Sequence, residues 1–426
     1  MIQFKIQTKI SDNQQNRTQQ TKGYLHSQTR TIALINAVAA PMSSLSTSSH
    51  LVIVDFEDIA DASKDLTAEL ECAFGGRLSS TTNNISDAAS PLGIIAIRNI
   101  PNFVEAKNAF LPMAHALAHL KPQCYQALED PTSFYNAGWS HGKEKLGDEP
   151  DYAKASYYFN PLTDLPGTQD EREKYPASYP CNKWPNEDDL PQLKHFKQSA
   201  QKLGKIMHQT VAHVAKHIDV MAAKKVVGYR KDLLFDAMQH TEKAKGRLLY
   251  YYPIDKDEAK EDNWIGWHND SGFLTSLAGD LFLDDETGKP LSPDQVDPQA
   301  GLYVTNRSGE SIHVKIPDDC MAVQIGECVQ ILTGGVVVAT PHCVRGPRAG
   351  FGASNVKASR ISCPCFIDSE PSFPLTVPNG CTSDDACQAG VGRDKVPLLE
   401  ERWVENGMTF GSFLQKSFEK YYDWSS

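Results

Sequence analysis

The second half of the chain is a series of short, β-rich runs, and this pattern limits the fold more than any other feature. After Arg247, such runs alternate with stretches that are rich in Gly, Pro and Asp. The predicted strands are Leu248–Tyr252, Gly272–Leu277, Gly301–Thr305, Met321–Ile325, Cys328–Leu332, Val336–Ala339 and Ile361–Ile367. Strands this short and this numerous are typical of a β-sandwich or a jelly roll.

The first half of the chain carries a mixed pattern. Leu51–Phe56 and Leu92–Arg98 are predicted strands, and Ser63 is the expected N-cap of a helix that follows the first strand. Apolar residues recur at helical spacing over Phe103–Leu120, Leu193–Ala223 and the closing segment Glu400–Trp424. The predicted fold class is therefore mainly β with flanking helices, in which an α+β N-terminal region precedes a jelly-roll core.

Length and charge narrow the class of protein. The chain has 426 residues, of which 40% are hydrophobic, and this is enough for a substantial core. Its net charge of −11 argues against a nucleic-acid-binding surface and against attraction to an anionic membrane. No apolar run approaches the roughly 18 residues that a membrane helix needs. The composition fits a soluble enzyme that has neither nucleic acid nor membrane as a partner. A monomer is the expected state, although no sequence feature determines it.

The cysteines and the N-terminus bear on the compartment. The ten cysteines are scattered, which favours free thiols in the cytoplasm, although a disulfide between Cys381 and Cys387 stays open. Residues 1–50 are rich in Gln, Thr and Ser and contain one acidic residue, Asp12. They are interpreted as a disordered tail or an organelle-targeting segment, unless translation starts at Met42. The remaining predicted regions are 51–245 (α+β), 246–375 (jelly roll) and 376–426 (loop and helix).

Three residues have the chemistry of a metal site. His268 and Asp270 stand two positions apart, so in a strand both side chains would point to the same face. His342, far downstream, would add a second imidazole. Two histidines and one carboxylate on one side of an ion leave its other positions open, as in non-haem Fe(II) oxygenases. The set predicts an iron site.

Several fragments, in this order along the chain, resemble the isopenicillin N synthase-like family of Fe(II)/2-oxoglutarate-dependent oxygenases. The fragments are Gly93–Ile100, Gly138–Glu144, Asn182–Pro185, Tyr251–Pro253, Trp267–Asp270, Gln324–Gly335, Pro341–His342 and Arg360–Ser362. The likeness extends from about Leu51 to the C-terminal helix.

The resemblance implies a double-stranded β-helix, cupin-like in form, with the metal at its mouth. It implies that His268, Asp270 and His342 bind Fe(II). It also implies that Arg360, Ser362 and Tyr252 bind the distal carboxylate of 2-oxoglutarate. The site residues carried over from the family are His268, Asp270, His342, Arg360, Ser362 and Tyr252.

The sequence departs from the family pattern in three places. Tyr250 stands where the family usually has Asn, and a phenol cannot replace the donor and acceptor pair of an amide. Arg345–Ala358 and Asp284–Gln299 are longer than usual and are interpreted as inserted loops. Neither insertion interrupts a predicted strand that carries a ligand.

The function that the resemblance implies is oxidation of a C–H bond in a small molecule by O2. The product could arise by hydroxylation, desaturation or ring closure, with release of succinate and CO2. One alternative is an Fe(II) oxidase of the same fold that uses O2 without 2-oxoglutarate. Others are a catalytically silent metal- or small-molecule-binding protein and a zinc hydrolase, although the latter lacks a Glu next to either His ligand.

Other polar residues are predicted to have structural roles. The pairs His115/His119 and His213/His217 have a spacing that can bind metal on a helix, but no Glu follows either first His. Lys143 and Glu144 are interpreted as ion-pair residues at the surface or between elements, with little energetic weight.

Overall fold

The computed structural model describes residues 51–76, 90–146, 149–254, 264–348 and 356–424. The predicted N-terminal tail lies outside the described residues. So does the middle of the predicted loop Arg345–Ala358, at residues 349–355.

Two β-sheets form the centre of the structure. The strands are β1 Val52–Asp55, β2 Ile94–Arg98, β3 Gly138–His141, β4 Lys145–Leu146, β5 Glu149–Pro150, β6 Lys154–Phe159, β7 Ala244–Tyr251, β8 Ile265–His268, β9 Leu274–Asp284, β10 Gly301–Thr305, β11 Ser311–Val314, β12 Met321–Ile325, β13 His342–Arg345, β14 Ala358–Ile367, β15 Pro374–Leu375 and β16 Met408–Thr409. The larger sheet has eight strands in the order β1-β2-β12-β9-β14-β7-β6-β3. The smaller has four, in the order β11-β10-β13-β8. The short pairs β4-β5 and β15-β16 stand apart from both sheets.

Helices come mainly before β7 and after β14. The helices are α1 Phe56–Ala60, α2 Thr67–Phe74, α3 Phe103–Phe110, α4 Met113–Ala118, α5 Pro122–Tyr125, α6 Gln169–Lys174, α7 Phe196–Lys225, α8 Leu233–Gln239, α9 Glu327–Leu332, α10 Ser383–Gln388, α11 Leu399–Arg402 and α12 Phe410–Trp424. Short 3₁₀ turns occur at Pro131–Ser133, Pro191–Leu193 and Pro293–Gln295. No helix among the described residues has the length and apolar character to span a bilayer.

The long helix α7 covers one face of the large sheet and buries it. Its buried positions recur every three or four residues, as in Phe196, Ala200, Leu203, Met207 and Val211. This spacing gives one apolar stripe, which packs into the main core together with residues of the large sheet. Truncating a buried Leu or Met of this stripe to Ala would cost about 2–5 kcal/mol.

The other face of the large sheet is turned toward the small sheet. Leu249 and Tyr251 of β7 form a separate buried cluster with Trp264 and with Val344 of β13. Because side chains alternate along a strand, residues 245, 247, 249 and 251 share this inward face of β7. The inward face positions the site described below.

Some predicted elements are wrong. Cys328–Leu332, a predicted strand, belongs to helix α9, and Val336–Ala339 forms no strand beyond an isolated bridge at Val337. A short apolar run bounded by glycines does not distinguish a buried strand from a buried helix. Ser63 is not an N-cap, because α2 begins at Thr67 and the Ser63 hydroxyl bonds to Asp61 instead.

Other expectations can be compared directly with the structure. Gly301–Thr305 and Met321–Ile325 are strands with the predicted bounds, whereas the strand predicted over Gly272–Leu277 runs from Leu274 to Asp284. The division predicted after residue 245 falls inside β7. The cysteines form no disulfide, so the alternative of a bond between Cys381 and Cys387 is not realised.

Candidate functional site

His268, Asp270 and His342 lie together at one end of the small sheet. His268 ends β8 and is the direct cross-strand partner of His342, which begins β13. Each of the three side chains offers a ligand atom, and these atoms all lie within 4.8 Å of one another. Asp270 stands beyond the end of β8, so a turn and not the strand itself brings its carboxylate back to the two imidazoles.

Both imidazoles are oriented so that Nε2 is available. His268 Nδ1 lies 2.9 Å from the carbonyl oxygen of Gly266, and His342 Nδ1 lies 3.1 Å from that of Thr340. A carbonyl accepts only, so each Nδ1 carries the proton and each Nε2 keeps its lone pair. Burial, and then the neighbouring His342, lower the pKa of His268 to about 4. His268 is therefore neutral near pH 7, as a metal ligand must be.

The turn that carries Asp270 is bonded to α9. The backbone N–H of Glu327 donates to the Asp270 carbonyl at 2.9 Å, and that of Cys328 donates to the Gly272 carbonyl at 3.0 Å. A Cβ at Gly326 would lie 2.2 Å from the Gly272 oxygen, so only glycine permits this approach. The α9 terminus thereby fixes the turn.

A buried ion pair supports the same turn. Glu327 Oε1 and Oε2 accept from Arg402 Nη2 and Nη1 at 2.5 and 2.6 Å. Glu327 also accepts from the Asn269 amide at 3.0 Å and from the Ser271 hydroxyl at 3.3 Å. From α12, Tyr421 Oη accepts the Asn269 N–H at 2.9 Å. Asn269, between the two candidate ligands, is thus held on two sides.

The sequence did not predict Glu327, Arg402 and Tyr421 as site residues. They are distant from the His-x-Asp motif along the chain. Glu327 does lie in the Gly-acidic fragment of the family resemblance, but its partners are not apparent from spacing. The carboxylate of Asp270 itself lacks such support. Its Oδ2 atom is buried and has no hydrogen-bond partner among the described residues, which leaves it available to a metal.

Arg360 lies on the inward face of the large sheet. It pairs across β14 and β7 with Tyr251, and its guanidinium carbon is 4.8 Å from the centre of that ring. Nη2 donates to the carboxylate of Asp280. Nε and Nη1 are buried without a partner among the described residues, which is costly for a cation. Ser362, two positions on, shares this face and is also buried.

The structure does not bring Tyr252 to Arg360. Tyr252 follows the end of β7, and its ring lies 5.1 Å from those of Tyr250 and His141. Tyr250, which pairs with Ile361 on the outward face, donates to Asp285 Oδ1 at 2.5 Å. Tyr251 is the tyrosine on the same face as Arg360. It is identified by the alternation of side chains along β7 together with the pairing of β7 and β14.

The histidine pairs predicted to be structural lie elsewhere. The rings of His115, on α4, and His119, just after α4, stack with their centres 4.3 Å apart. His217 Nε2 lies 3.0 Å from the buried carbonyl of Ile59. Within the described ranges, His268, Asp270 and His342 form the one cluster with metal-ligand geometry.

Comparisons with known proteins agree with this geometry. No family model matches the chain. A 2-oxoglutarate-dependent dioxygenase of Glarea lozoyensis is 26% identical over 317 residues, which are 70% of this chain and 88% of that protein. One of Aspergillus rugulosus is 28% identical over 167 residues, and this match spans 39% of this chain and 44% of that relative. One of Gibberella zeae is 24% identical over 287 residues, which are 66% of this chain and 68% of that protein.

Two solved structures share the fold. A 2OG-Fe(II) oxygenase family protein from Caulobacter crescentus has a TM-score of 0.56 and 20% identity, covering 87% of this chain and 99% of its own. A full-length Neurospora crassa protein, solved in complex with alpha-KG, has a TM-score of 0.56 and 19% identity, covering 85% of this chain and 94% of its own.

The relatives favour dependence on 2-oxoglutarate over an oxidase that works without it, and over a silent binding protein. The His-Asp-His cluster supplies the ligand set that such chemistry requires. The curated relatives, the shared fold and the site support one enzyme class: an oxidoreductase of the 2-oxoglutarate- and Fe(II)-dependent dioxygenase type.

Proposed function

We propose that this enzyme oxidises a C–H bond of a small organic molecule. The observation that carries the proposal is the convergence of two imidazoles and one carboxylate at one end of the small sheet. The position of the substrate decides whether the product is hydroxylated, desaturated or cyclised, because small displacements of a reacting atom change the outcome.

His268, Asp270 and His342 would hold Fe(II). The residues fit the metal, because both Nε2 atoms have a lone pair and Asp270 Oδ2 is buried without a protein partner among the described residues. His342 Nε2 and Asp270 Oδ1 are 3.9 Å apart, a separation that allows both atoms to bind the same ion. Two imidazoles and one carboxylate suit Fe(II) and leave further coordination positions open.

Arg360 and Ser362 would bind the distal carboxylate of 2-oxoglutarate. The unpartnered Nε and Nη1 of Arg360 are donors that a carboxylate would satisfy, in a charge-assisted and geometrically specific way. We assign the accompanying tyrosine hydroxyl to Tyr251 in place of Tyr252, because Tyr251 is the direct cross-strand partner of Arg360. Asp280 would hold the guanidinium from its remaining side.

The protein contributes binding, orientation and exclusion of water. When bound, Fe(II) and 2-oxoglutarate supply the oxidising chemistry, in which O2 is consumed and succinate and CO2 are released. Leu249, Tyr251, Trp264 and Val344 form an apolar cluster between the sheets that keeps water from this region. The backbone carbonyls of Gly266 and Thr340 retain the protons on both Nδ1 atoms, which keeps Nε2 free for metal.

Further features are part of the same proposal. We propose that the two sheets close as a double-stranded β-helix of the isopenicillin N synthase-like type, because the inward face of β7 packs against the small sheet. The absence of a disulfide among the ten cysteines suits a reducing compartment, and the proposed location is the cytoplasm. The proposed oligomeric state is a monomer.

Anaerobic titration of the apo-protein, first with Fe(II) and then with 2-oxoglutarate, tests the function. A visible metal-to-ligand charge-transfer band is expected on addition of 2-oxoglutarate, because the keto acid chelates an iron with open positions. A substrate screen followed by succinate release would then be justified. Iron binding without the band would contradict dependence on 2-oxoglutarate, and failure to bind iron would contradict the ligand assignment.

A further inference from the structure

The inward face of β7 carries a row of cationic side chains that the proposed chemistry does not use. Lys245 and Arg247 precede Leu249 and Tyr251 on this face, and Lys243 lies just before the strand. At the Tyr251 end of the row stands Arg360. Lys243, Lys245 and Arg247 are half-buried, and a cation that has lost part of its water gains from an anionic partner.

Arg247 has its partner within the protein. Its Nη2 donates to Glu144 at 2.6 Å, and its Nε donates to the Ser156 hydroxyl at 2.9 Å. The Tyr158 hydroxyl also donates to Glu144, at 2.7 Å.

The small sheet and the Asp270 turn contact this row at two points. Val344, two residues beyond His342, packs against Leu249 and Tyr251. At the lysine end, Asp368 accepts the N–H of Phe273, three residues beyond Asp270, at 3.0 Å and donates its own N–H to the Lys243 carbonyl at 2.9 Å. The metal cluster therefore faces the middle of the row.

Lys245 lacks a partner of the kind that Arg247 has. Its Nζ donates to Asn136 Oδ1 at 2.8 Å and lies 5.4 Å from the centre of the Tyr158 ring. No ion pair joins it to a carboxylate among the residues that the structure describes. Asp368 is the acidic group with the largest electrostatic effect on it, but that carboxylate accepts the Phe273 N–H. An ammonium has three donors, so two remain for a ligand.

A second hydrogen bond of Asn136 orients its amide oxygen toward Lys245. Its Nδ2 donates to the Ser133 carbonyl at 2.9 Å, which turns Oδ1 toward the ammonium. A neutral amide oxygen offsets little of the cost of enclosing a cation, and burial accordingly lowers the pKa of Lys245 to about 8. Lys245 stays mostly charged at pH 7 and would gain from a carboxylate.

2-Oxoglutarate cannot be that carboxylate once it is bound at Arg360. Lys245 and Tyr251 are six residues apart on one strand, which corresponds to roughly 20 Å at about 3.3 Å per residue. The carbon chain of 2-oxoglutarate has four C–C bonds, little more than the three backbone bonds of a single residue, which span about 3.8 Å. An anion at the Lys245 end would therefore be a second molecule.

We propose that Lys245 binds a carboxylate of the substrate, on the opposite side of the metal cluster from Arg360. Tyr158, under the ammonium, and Phe366, the half-buried cross-strand partner of Lys245, supply an aromatic surface for the apolar part of that molecule. The substrate class is an organic acid with an apolar body. This inference rests on the proposed function and adds the substrate class to it.

Calorimetric titration of the anaerobic, Fe(II)-loaded full-length protein tests the inference. Saturating 2-oxoglutarate is present throughout, so that Arg360 is occupied and does not bind the probes. The probes are benzoate, 3-phenylpropanoate and octanoate, and each is compared with its primary amide. At least one acid should bind wild type about tenfold or more tightly than its amide, because a hydrogen bond to a charged group is at stake. In Lys245→Met this preference should fall below about twofold.

Three variants complete the experiment. Lys245→Arg keeps the charge and should retain the preference, and Lys245→Gln is a second neutral variant that keeps a donor for Asn136. Lys143→Met is the matched control, since Lys143 pairs with Glu129. Thermal unfolding verifies that each variant is folded. The inference is overturned if wild type prefers no acid over its amide, or if both neutral variants keep the preference.

The charge-transfer titration separates this inference from the proposed function. A normal band without any preference for carboxylates would overturn the role of Lys245 and leave the oxygenase intact. A preference that depends on Lys245, in a protein that forms no band, would retain the anion site and reject the use of 2-oxoglutarate.

Discussion

The two ends of the candidate site are held in opposite ways. At the metal end, Asn269 bonds to Glu327 and Tyr421, and the Asp270 carbonyl accepts from α9. At the other end, Arg360 has one ion pair, with Asp280, and two buried donors without a partner among the described residues. At the metal end, the protein holds the turn between the candidate ligands from two sides and leaves Asp270 Oδ2 for the metal. At the other end, it leaves two donors of Arg360 to be satisfied by a ligand.

The difference has an energetic basis. The Glu327 and Arg402 side chains are 2% and 0% exposed, and every oxygen of the carboxylate accepts at least one hydrogen bond. A buried ion pair stabilises only when its hydrogen bonds are complete, as they are here. Arg360 is incomplete, so its surroundings contribute less to folding and more to the binding of an anion.

The largest expected effect is at the metal end. Asp270→Ala should abolish the charge-transfer band, because it removes the carboxylate ligand and leaves only the two imidazoles. Anaerobic titration with Fe(II) measures this loss, and circular dichroism monitors the fold. A variant that binds iron as tightly as wild type would show that Asp270 is not a ligand.

Arg402→Met tests how much the buried ion pair at the metal end contributes to the stability of the fold. It leaves the Glu327 carboxylate buried without its cation, which should cost about 3–5 kcal/mol of unfolding free energy. Urea denaturation of the apo-protein gives this value. The control is Arg393→Met, because the ion pair of Arg393 with Glu400 is partly exposed and should contribute less than about 1 kcal/mol. Equal losses in the two variants would contradict a special role for the buried pair.

Arg360→Leu should produce the reverse pattern. The Kd for 2-oxoglutarate should rise by roughly 30-fold or more, since a buried charge-assisted contact contributes about 2 kcal/mol or more. Fe(II) affinity should stay within about twofold of wild type, because Arg360 belongs to the other end of the site. An unchanged Kd for 2-oxoglutarate would remove Arg360 from the binding site and restore the oxidase alternative.

The sequence predicted the elements whose pattern is unambiguous. Gly301–Thr305 and Met321–Ile325 are strands with the predicted bounds, since each is a short apolar run that ends at a polar or glycine residue. The helical state of Cys328–Leu332 could not be predicted, because five residues that are all buried, the polar Gln330 included, show neither a helical nor a strand period.

The site residues, too, could be predicted only where the sequence itself carries the signal. The His268–Asp270 spacing and the downstream His342 are local signals, and the structure brings these three side chains together. The choice between Tyr251 and Tyr252 needs the register of β7 against β14, because a shift of one residue exchanges the two faces of a strand. A single sequence does not carry that register.

The smallest effect that we predict belongs to Tyr421, and it isolates positioning from stability. Burial raises the pKa of Tyr421, so its hydroxyl stays protonated while it accepts the Asn269 N–H. Tyr421→Phe should weaken Fe(II) binding about tenfold, the lower range for groups that orient metal ligands, and should cost about 1 kcal/mol of stability.

Tyr125→Phe is the matched control. Its hydroxyl donates to the carbonyls of Leu117 and Ala118, away from the metal cluster, so a similar loss of stability should leave iron affinity unchanged. If the two variants lose stability equally and neither loses iron affinity, the C-terminal helix supports the fold alone. A loss of affinity confined to Tyr421→Phe would show that this helix holds the metal end ready before the ligand completes the other.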